Sequence, residues 1–533
     1  MTPTPTPTTT PITPSQIQVS ARHKIVAVPT RTDLENLFPS AKRLTYEGKD
    51  MILVPHGPAE TRMLRNLGMN VPSPIITQYD WEGGTPYDVQ KRTAELLTTH
   101  QRAYVLNGMG TGKTKSALWA WRYLHRQGLA GKVLVVAPLS TLNFTWAREV
   151  FSTLPGVNVQ VLHGSKEKRL QRLSDPEADV FVINHDGLAV ILDEILNRKD
   201  IDTLILDELA VYRNGTAIRT KKARLLAKEM TWVWGMTGSP TPNEPTDAWG
   251  QASVVTPATT PKYFTRFRDQ VMQKVTQFKF VPKPDALEQV QSLLQPAVRF
   301  TLEDVVELPD MVERTLDVAL GKQQKHVYDK MAAEAHVAVQ AGDITAMNAA
   351  VVLGKLLQIS AGWVYTSDGS VVALDNDDRL DALVDAINSS DRKVIVFVPY
   401  VHALEGVAKR LTHEGIDVRT VSGDTPKGKR DEIFNLFQNT SGVRVIAAHP
   451  QCMSHGLTLT AADTIIWFSP TTSLEIFEQA NARIRRIGQK AKQQILMFQA
   501  TKAERGMYAR LRAKQKVQNE LLDLIADATT TTP

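Results

Sequence analysis

Asn107-Gly108-Met109-Gly110-Thr111-Gly112-Lys113-Thr114 is the stretch on which the fold turns. It follows an apolar run, Ala103–Leu106, that reads as a strand, and it opens a segment, Lys115–Arg122, that reads as a helix. The glycines Gly108, Gly110 and Gly112 let successive backbone N–H groups turn inward, and the start of a helix adds its positive end. Such a loop cradles phosphates. Lys113 would then reach the β- and γ-phosphates, and the Thr114 hydroxyl would ligate Mg²⁺. The strict spelling G-x-x-x-x-G-K-[ST] has glycine where this chain has Asn107. A glycine-rich turn with no ligand is the plainer alternative, but Gly-Lys-Thr at a strand–helix junction weighs against it.

A second apolar run ends in acid: Leu204-Ile205-Leu206-Asp207-Glu208. Two adjacent carboxylates at the C-terminal end of a strand suit one group that holds Mg²⁺, Asp207, and one that polarises an attacking water, Glu208. Taken alone an Asp-Glu pair is commonplace, and a surface loop explains it as well. Beside the loop at Lys113 it acquires a meaning.

Outward from these two motifs the chain shows one rhythm, short β-branched runs separated by amphipathic segments of helical length. The first set comprises Ala103–Leu106, Lys132–Ala137, Val180–Asn184, Thr203–Leu206 and Trp232–Met236; the second comprises Lys393–Val398, Val418–Val421, Val443–Ala447, Thr464–Phe468 and Gln494–Phe498. These runs are nearly continuous in Val, Ile, Leu and Phe, as strands covered on both faces require. The expected fold class is α/β, with two tandem parallel-sheet lobes at residues 81–248 and 379–501. Residues 249–378 read as a helical insertion and inter-lobe linker, with a basic, aromatic stretch at Phe264–Lys283 and a long helical stretch at Leu320–Ala361. Residues 16–80 form a small N-terminal segment with strands near Lys24–Val28 and Asp50–Val54 and a helix near Pro58–Leu67. Residues 1–15, almost all Thr and Pro, read as a disordered tail, and residues 502–533 as a charged helix ending in another.

Composition narrows the class without choosing a function. Of 533 residues, 42% are hydrophobic and 22% charged, an ordinary globular balance. No apolar run approaches the ~18 residues of a membrane span, so no membrane role is expected. The lone Cys452 excludes an intramolecular disulfide and a cysteine-cluster zinc site. A reducing cytoplasm is the expected compartment. A net charge of +6 suits a polyanionic partner only weakly.

From about Pro86 to Gln489 the chain resembles superfamily-two ATPases of the SWI/SNF-like branch, DNA translocases that include chromatin remodellers and fork-remodelling enzymes. Thr85-Pro86-Tyr87-Asp88-Val89-Gln90 is similar to the family's adenine-side motif, in which Gln90 would read the base edge. Ala137-Pro138-Leu139-Ser140-Thr141, with Trp146 and Glu149, resembles a segment that contacts the nucleic-acid backbone, and Thr237-Gly238-Ser239-Pro240 with Asn243 resembles a motif coupling the ATP site to the strand groove. In the second half, Gly423, Arg430 and Phe437 fit one family pattern, and Gly456-Leu457-Thr458-Leu459 with Ala462-Asp463 fits another, which places Gly456 with the nucleotide-binding residues. Gln479-Ala480-Asn481-Ala482-Arg483-Ile484-Arg485-Arg486-Ile487-Gly488-Gln489 is similar to Q-A-x-x-R-x-x-R-x-G-Q. The resemblance gives Arg483 and Arg486 the role of acting on the ATP phosphates from the second lobe, which suits the planar guanidinium fork. A solvated basic helix face is the plain alternative.

Three spellings depart from the family. Ala210 stands where a His or Ser is usual, Thr458 where Asn is usual, and Arg485 where His is usual. Ala210 cannot make the hydrogen bond its counterpart makes, so coupling of hydrolysis to movement is expected to be tuned differently. Val54-Pro55-His56, Leu64–Gly68 and Ile75–Trp81 look like the leader before SWI/SNF-like ATPases of tailed bacteriophages and some bacteria, implying a bacterial or infected-host cytoplasm. The resemblance therefore implies two RecA-like lobes, ATP and Mg²⁺, and duplex or branched DNA as partner. An RNA-directed motor of the same build, and a non-hydrolysing nucleotide-gated binding or annealing module, stay open. No aromatic wedge segment stands out, which favours translocation over strand separation.

Overall fold

Runs of Val, Ile, Leu and Phe have no polar face to offer water, so they need cover on both sides, and a parallel sheet sandwiched between helices provides it. The computed structural model describes residues 17–46, 48–276, 279–340, 346–366, 370–453 and 458–531. It divides into two compact units, residues 1–305 with 520–533 and residues 306–519.

The first unit opens with a small antiparallel sheet of β1 (Gln18–Ser20), β2 (Ile25–Pro29), β3 (Lys42–Tyr46) and β4 (Lys49–Pro55), in the order β1-β2-β4-β3. Val26, Val28, Ile52 and Val54 alternate onto one face and pack with Leu34 and Leu64 from the helices Thr32–Leu37 and Pro58–Asn66. The strands β5 (Arg102–Val105), β6 (Lys132–Ala137), β7 (Val159–Leu162), β8 (Val180–Asn184), β9 (Ile201–Asp207) and β10 (Trp232–Met236) follow. A hairpin of β11 (Met272–Lys274) and β12 (Phe280–Pro282) comes next, and then β13 (Ala297–Val298). The parallel sheet has the order β13-β5-β10-β9-β6-β8-β7. Its strands are covered twice: Leu134, Val136, Leu204 and Leu206 face one apolar cluster, while Val133, Val135 and Ile205 face the other. Val105 lies opposite Met236, and Met236 opposite Asp207. The C-terminal ends of β5, β10 and β9 are thus neighbours.

In the second unit, β14 (Met311–Asp317) is followed by a hairpin of β15 (Trp363–Tyr365) and β16 (Val371–Ala373), then by β17 (Lys393–Phe397), β18 (Val418–Val421), β19 (Val445–Ala448), β20 (Ala462–Trp467) and β21 (Gln493–Gln499). Its parallel sheet has the order β14-β21-β20-β17-β19-β18. Ile395, Phe397, Ile446 and Ile465 face one cluster, and Val394, Val396, Val445 and Ile466 the other. Two parallel-sheet lobes are what the rhythm of the sequence called for, and their RecA-like character is what the resemblance implied.

The stretch from 249 to 378, read as a helical insertion and inter-lobe linker, also supplies strands to both sheets. Its β13 is an edge strand of the first sheet and its β14 an edge strand of the second, and the units divide between Val305 and Val306. The helical stretch expected at Leu320–Ala361 is present as the helices Lys322–Gln340 and Ala346–Ala361. The basic, aromatic stretch Phe264–Lys283 holds a helix, Phe264–Val271, and the hairpin β11–β12. The last helix runs from Lys502 to Thr531, through threonines read as a tail, because helix once formed propagates at little cost. Residues 1–16 lie outside the described residues.

Candidate active site

The nucleotide loop hangs between the end of β5 and the helix Lys113–Arg126. Gly110 and Gly112 both take φ of +84°, a left-handed backbone that glycine adopts without a Cβ penalty. Thr111 Oγ1 donates to the Gly108 carbonyl at 2.9 Å, tightening the turn. Lys113 Nζ curls back over the loop and donates to the carbonyls of Asn107 at 2.9 Å and Gly108 at 3.0 Å. Thr114 is half-buried in the first turn of that helix. Gln90, in the first turn of the helix Asp88–Thr99, accepts from the Tyr87 N–H at 3.0 Å and donates from Nε2 to Thr111 O at 3.4 Å. A Cβ on residue 112 would collide with that amide, so loop and amide are fitted to each other.

Asn107, the residue that departs from the glycine spelling, is 1% exposed and works as a fastener. Its Nδ2 donates to Thr93 Oγ1 at 2.9 Å, and its Oδ1 accepts from the Phe300 N–H at 2.9 Å. The Gly108 N–H donates to Phe300 O at 2.7 Å and Arg299 Nη1 donates to Leu106 O at 2.7 Å, so the loop is laced to the chain just beyond β13.

Asp207 closes β9, two strands from the loop, with β10 between. Its Oδ2 accepts from Trp146 Nε1 at 2.9 Å and its Oδ1 from the Glu208 N–H at 3.1 Å. Burial pushes the Asp207 carboxyl above the usual range, against the pull of the Trp146 indole, the Lys113 charge and the Glu208 amide. Glu208 sits at φ 51°, ψ 57°, a left-handed conformation costly for a residue with a Cβ. Such strain collects at functional turns. Ala210 is buried in the 3₁₀ turn Leu209–Tyr212.

Thr237, 1% exposed, follows β10, so it lies between the loop and the acidic pair; its N–H donates to Val105 O at 3.1 Å and its Oγ1 accepts from the Ser239 N–H at 3.1 Å. Ser239 is buried, whereas Asn243 is exposed, its N–H held by Asp247 Oδ2 at 2.8 Å. Ser140 and Leu139 are exposed in the turn after β6. Trp146 is different. Expected on the strand-contacting segment, its ring has no exposed surface, so it presents nothing to a strand, and its one polar atom is spent on Asp207. Sequence spacing does not reveal a contact across 61 residues. The available signal was chemical: a buried indole N–H is a donor that must find an acceptor.

In the second unit, residues 482–488 form turns and bends rather than a solvated helix face. Arg483 is 1% exposed, its Nε donating to Gln479 O at 2.7 Å and its carbonyl accepting from the Leu459 N–H at 3.0 Å. Arg486 is partly exposed, with Nε donating to Ala482 O at 3.0 Å. Gln489 fixes the turn: Nε2 donates to Ala462 O at 2.8 Å and Ile484 O at 3.1 Å, and Oε1 accepts from the N–H groups of Lys490 and Ala491. Gly456 lies outside the described residues.

The donors at the first sheet's edge, the Thr114 hydroxyl with the Asp207 and Glu208 carboxylates, are hard oxygens of the kind Mg²⁺ takes. Among the described residues no group of three or more His, Cys, Asp and Glu side chains forms a cage for a metal. Mg²⁺ that arrives with a nucleotide is held largely by substrate phosphates and water, with one or two protein oxygens.

A sheet edge of this kind defines a P-loop motor lobe. Comparison with known sequences narrows the class further. The SNF2-related domain matches residues 90–361 and the helicase conserved C-terminal domain matches residues 378–488; the chain belongs to the SNF2-related family and is an ATP-hydrolysing enzyme of helicase type. Protein p41 of Acyrthosiphon pisum secondary endosymbiont phage 1 is 28% identical over 427 residues, covering 75% of this chain and 88% of that protein. An uncharacterized ATP-dependent helicase of Mycoplasma genitalium is 23% identical over 388 residues, and the ISWI chromatin-remodeling complex ATPase CHR11 of Arabidopsis thaliana is 25% identical over 414. These matches cover 72% and 73% of this chain but only 36% and 38% of those longer relatives. Among solved structures, the SWI2/SNF2 ATPase core of Sulfolobus solfataricus in complex with dsDNA aligns over 85% of this chain and 96% of its own, at 18% identity and a TM-score of 0.39. No helix among the described residues is long and apolar enough to cross a membrane.

Proposed function

We propose that the chain couples ATP hydrolysis to movement along duplex or branched DNA. The observation that carries this reading is the register Val105–Met236–Asp207, which lines up the phosphate loop, the Thr237–Ser239 turn and the acidic pair along one sheet edge. Loop amides and Lys113 hold the triphosphate, and Gln90 holds the base side. Mg²⁺, held by Thr114 and Asp207, would offset charge on the phosphate oxygens. The Glu208 carboxylate orients a water and takes up its proton as the water oxygen bonds to the γ-phosphorus and the bond to the β,γ-bridging oxygen breaks, giving ADP and phosphate. Arg483 and Arg486 carry the phosphate-facing role that the family resemblance gives them. Thr237 and Ser239 link the buried site to the loop that ends at the exposed Asn243, and Ser140 is exposed after the neighbouring strand, so both loops are available to a nucleic-acid backbone. Membership of the SNF2-related family, and chromatin-remodeling ATPases among the relatives, support DNA over RNA.

The test compares ATP turnover with linear duplex, forked DNA, single-stranded DNA and single-stranded RNA. Duplex or forked DNA of any sequence should stimulate. The DNA concentration for half-stimulation should rise at least about tenfold between roughly 50 and 200 mM salt, since phosphate contacts release counterions. Stimulation by RNA alone would end the DNA assignment. In the same assay Arg486→Ala should slow hydrolysis by about 10³–10⁵-fold, and undiminished turnover would remove that arginine from the mechanism.

Strand separation is the second reading, favoured by the hairpin β11–β12. Arg268 stacks 4.5 Å from the Phe280 ring centroid beside it, and Lys274 is exposed. A strand-displacement assay on forked DNA separates the two readings.

A further inference from the structure

Trp146 occupies an unusual piece of backbone. Residues Leu142–Ala147 form a six-residue π-helix between the exposed turn Leu139–Thr141 and the helix Arg148–Thr153. Such wide turns are rare and recur at functional sites. The ring packs in the same apolar cluster as Leu142, Val135 and Ile205, so neither its position nor its rotation is free. From that fixed seat Nε1 donates to Asp207 Oδ2 at 2.9 Å, while Oδ1 takes the Glu208 N–H. An indole can only donate, so this bond holds one carboxylate oxygen in one direction and leaves its remaining lone pairs for a cation.

We infer that Trp146 is a positioning residue for the metal-holding carboxylate, setting the orientation in which Asp207 accepts Mg²⁺ with the nucleotide. The inference rests on the reading of Asp207 as a Mg²⁺ ligand. It assigns the π-turn a task distinct from strand contact. Groups that orient a ligating side chain typically change metal affinity by about 10–100-fold when removed.

The experiment is Trp146→Phe, which keeps an aromatic ring in the pocket and deletes the N–H. Binding of a non-hydrolysable ATP analogue is titrated calorimetrically at graded Mg²⁺, with melting as a check on folding. Affinity without Mg²⁺ should match the parent, and the Mg²⁺ concentration that half-restores tight binding should rise about 10–100-fold. A purely structural tryptophan would weaken both or neither. An unchanged Mg²⁺ dependence overturns the inference, whereas a parent protein whose binding ignores Mg²⁺ overturns the reading of Asp207 instead. If Trp146→Phe does not fold, the unaltered protein serves, with ¹⁵N-labelled indoles and Mn²⁺ replacing Mg²⁺ beside the analogue. One of the nine tryptophan N–H signals should then broaden selectively. A spectrum in which none does overturns the inference.

Discussion

Gly112 shows how tightly single residues are specified at the nucleotide loop. Its φ of +84° penalises any L side chain by about 1–2 kcal/mol, and a Cβ there would also collide with Gln90 Nε2. Gly112→Ala should therefore lose nucleotide affinity by about 5–30-fold, since about 1.4 kcal/mol is a factor of ten. Calorimetric titration with the ATP analogue checks it, and parental affinity would show that loop and amide are not mutually fitted. At this scale the sequence was legible where chemistry is local. Gly110, Gly112, Lys113 and Thr114 announce themselves by spacing, and Asp207-Glu208 by its place after an apolar run. The bond from Trp146 to Asp207 and the fastening by Asn107 were not legible, because each depends on a partner brought near only by the sheet.

Among elements, the strands legible in the sequence are, with one exception, the ones covered on both faces. Lys132–Ala137, Val180–Asn184 and Trp232–Met236 are bounded as found because nearly every position is apolar, while Val418–Val421, an edge strand with Arg419 and Thr420 exposed, is found at its bounds through the valines at its two ends. The strands missed lie at sheet edges: Val159–Leu162, the two-residue Ala297–Val298, and Met311–Asp317, where Glu313, Arg314 and Asp317 are exposed. An edge strand carries no continuous apolar run, so its composition does not separate it from a loop. What binds elements together in the second unit is also hidden from pattern. Arg379, 1% exposed, donates to Phe468 O at 3.0 Å, to Ser360 O at 3.0 Å and to Glu504 Oε1 at 2.6 Å, tying three helices to the end of β20. Arg379→Met would leave Glu504 charged and unpaired in the interior, at a cost of about 3–5 kcal/mol. Denaturant unfolding should show that loss, and Arg379→Met with Glu504→Met should recover part of it. A single variant as stable as the parent would refute the pairing's importance.

For the whole molecule, one buried histidine, His56, and two half-buried ones, His100 and His449, set a common acid limit. Burial lowers the pKa of His56, His100 and His449 below the free value of 6.5. His56 shows why the neutral ring fits: Nε2 lies 2.7 Å from Pro72 O and must donate, which leaves Nδ1 to accept from Gln78 Nε2 at 3.2 Å. The unfolded chain takes up protons first as pH falls, so these groups favour the fold fully above about pH 6.5 and progressively less below it. Melting temperature should be flat just above that value and decline beneath it; a profile still rising toward pH 5.5 would contradict the burial of these rings.

Where a consensus would write glycine, Asn107 gives the cradle a mechanical anchor. Its carboxamide clips the first residue of the loop to a helix on one side and, on the other, to the outgoing polypeptide at Phe300. Any displacement of the cradle as phosphates arrive or depart must therefore tug on the chain just beyond β13. An apparent spelling error is, in physical terms, a tether through which the pocket can be felt downstream.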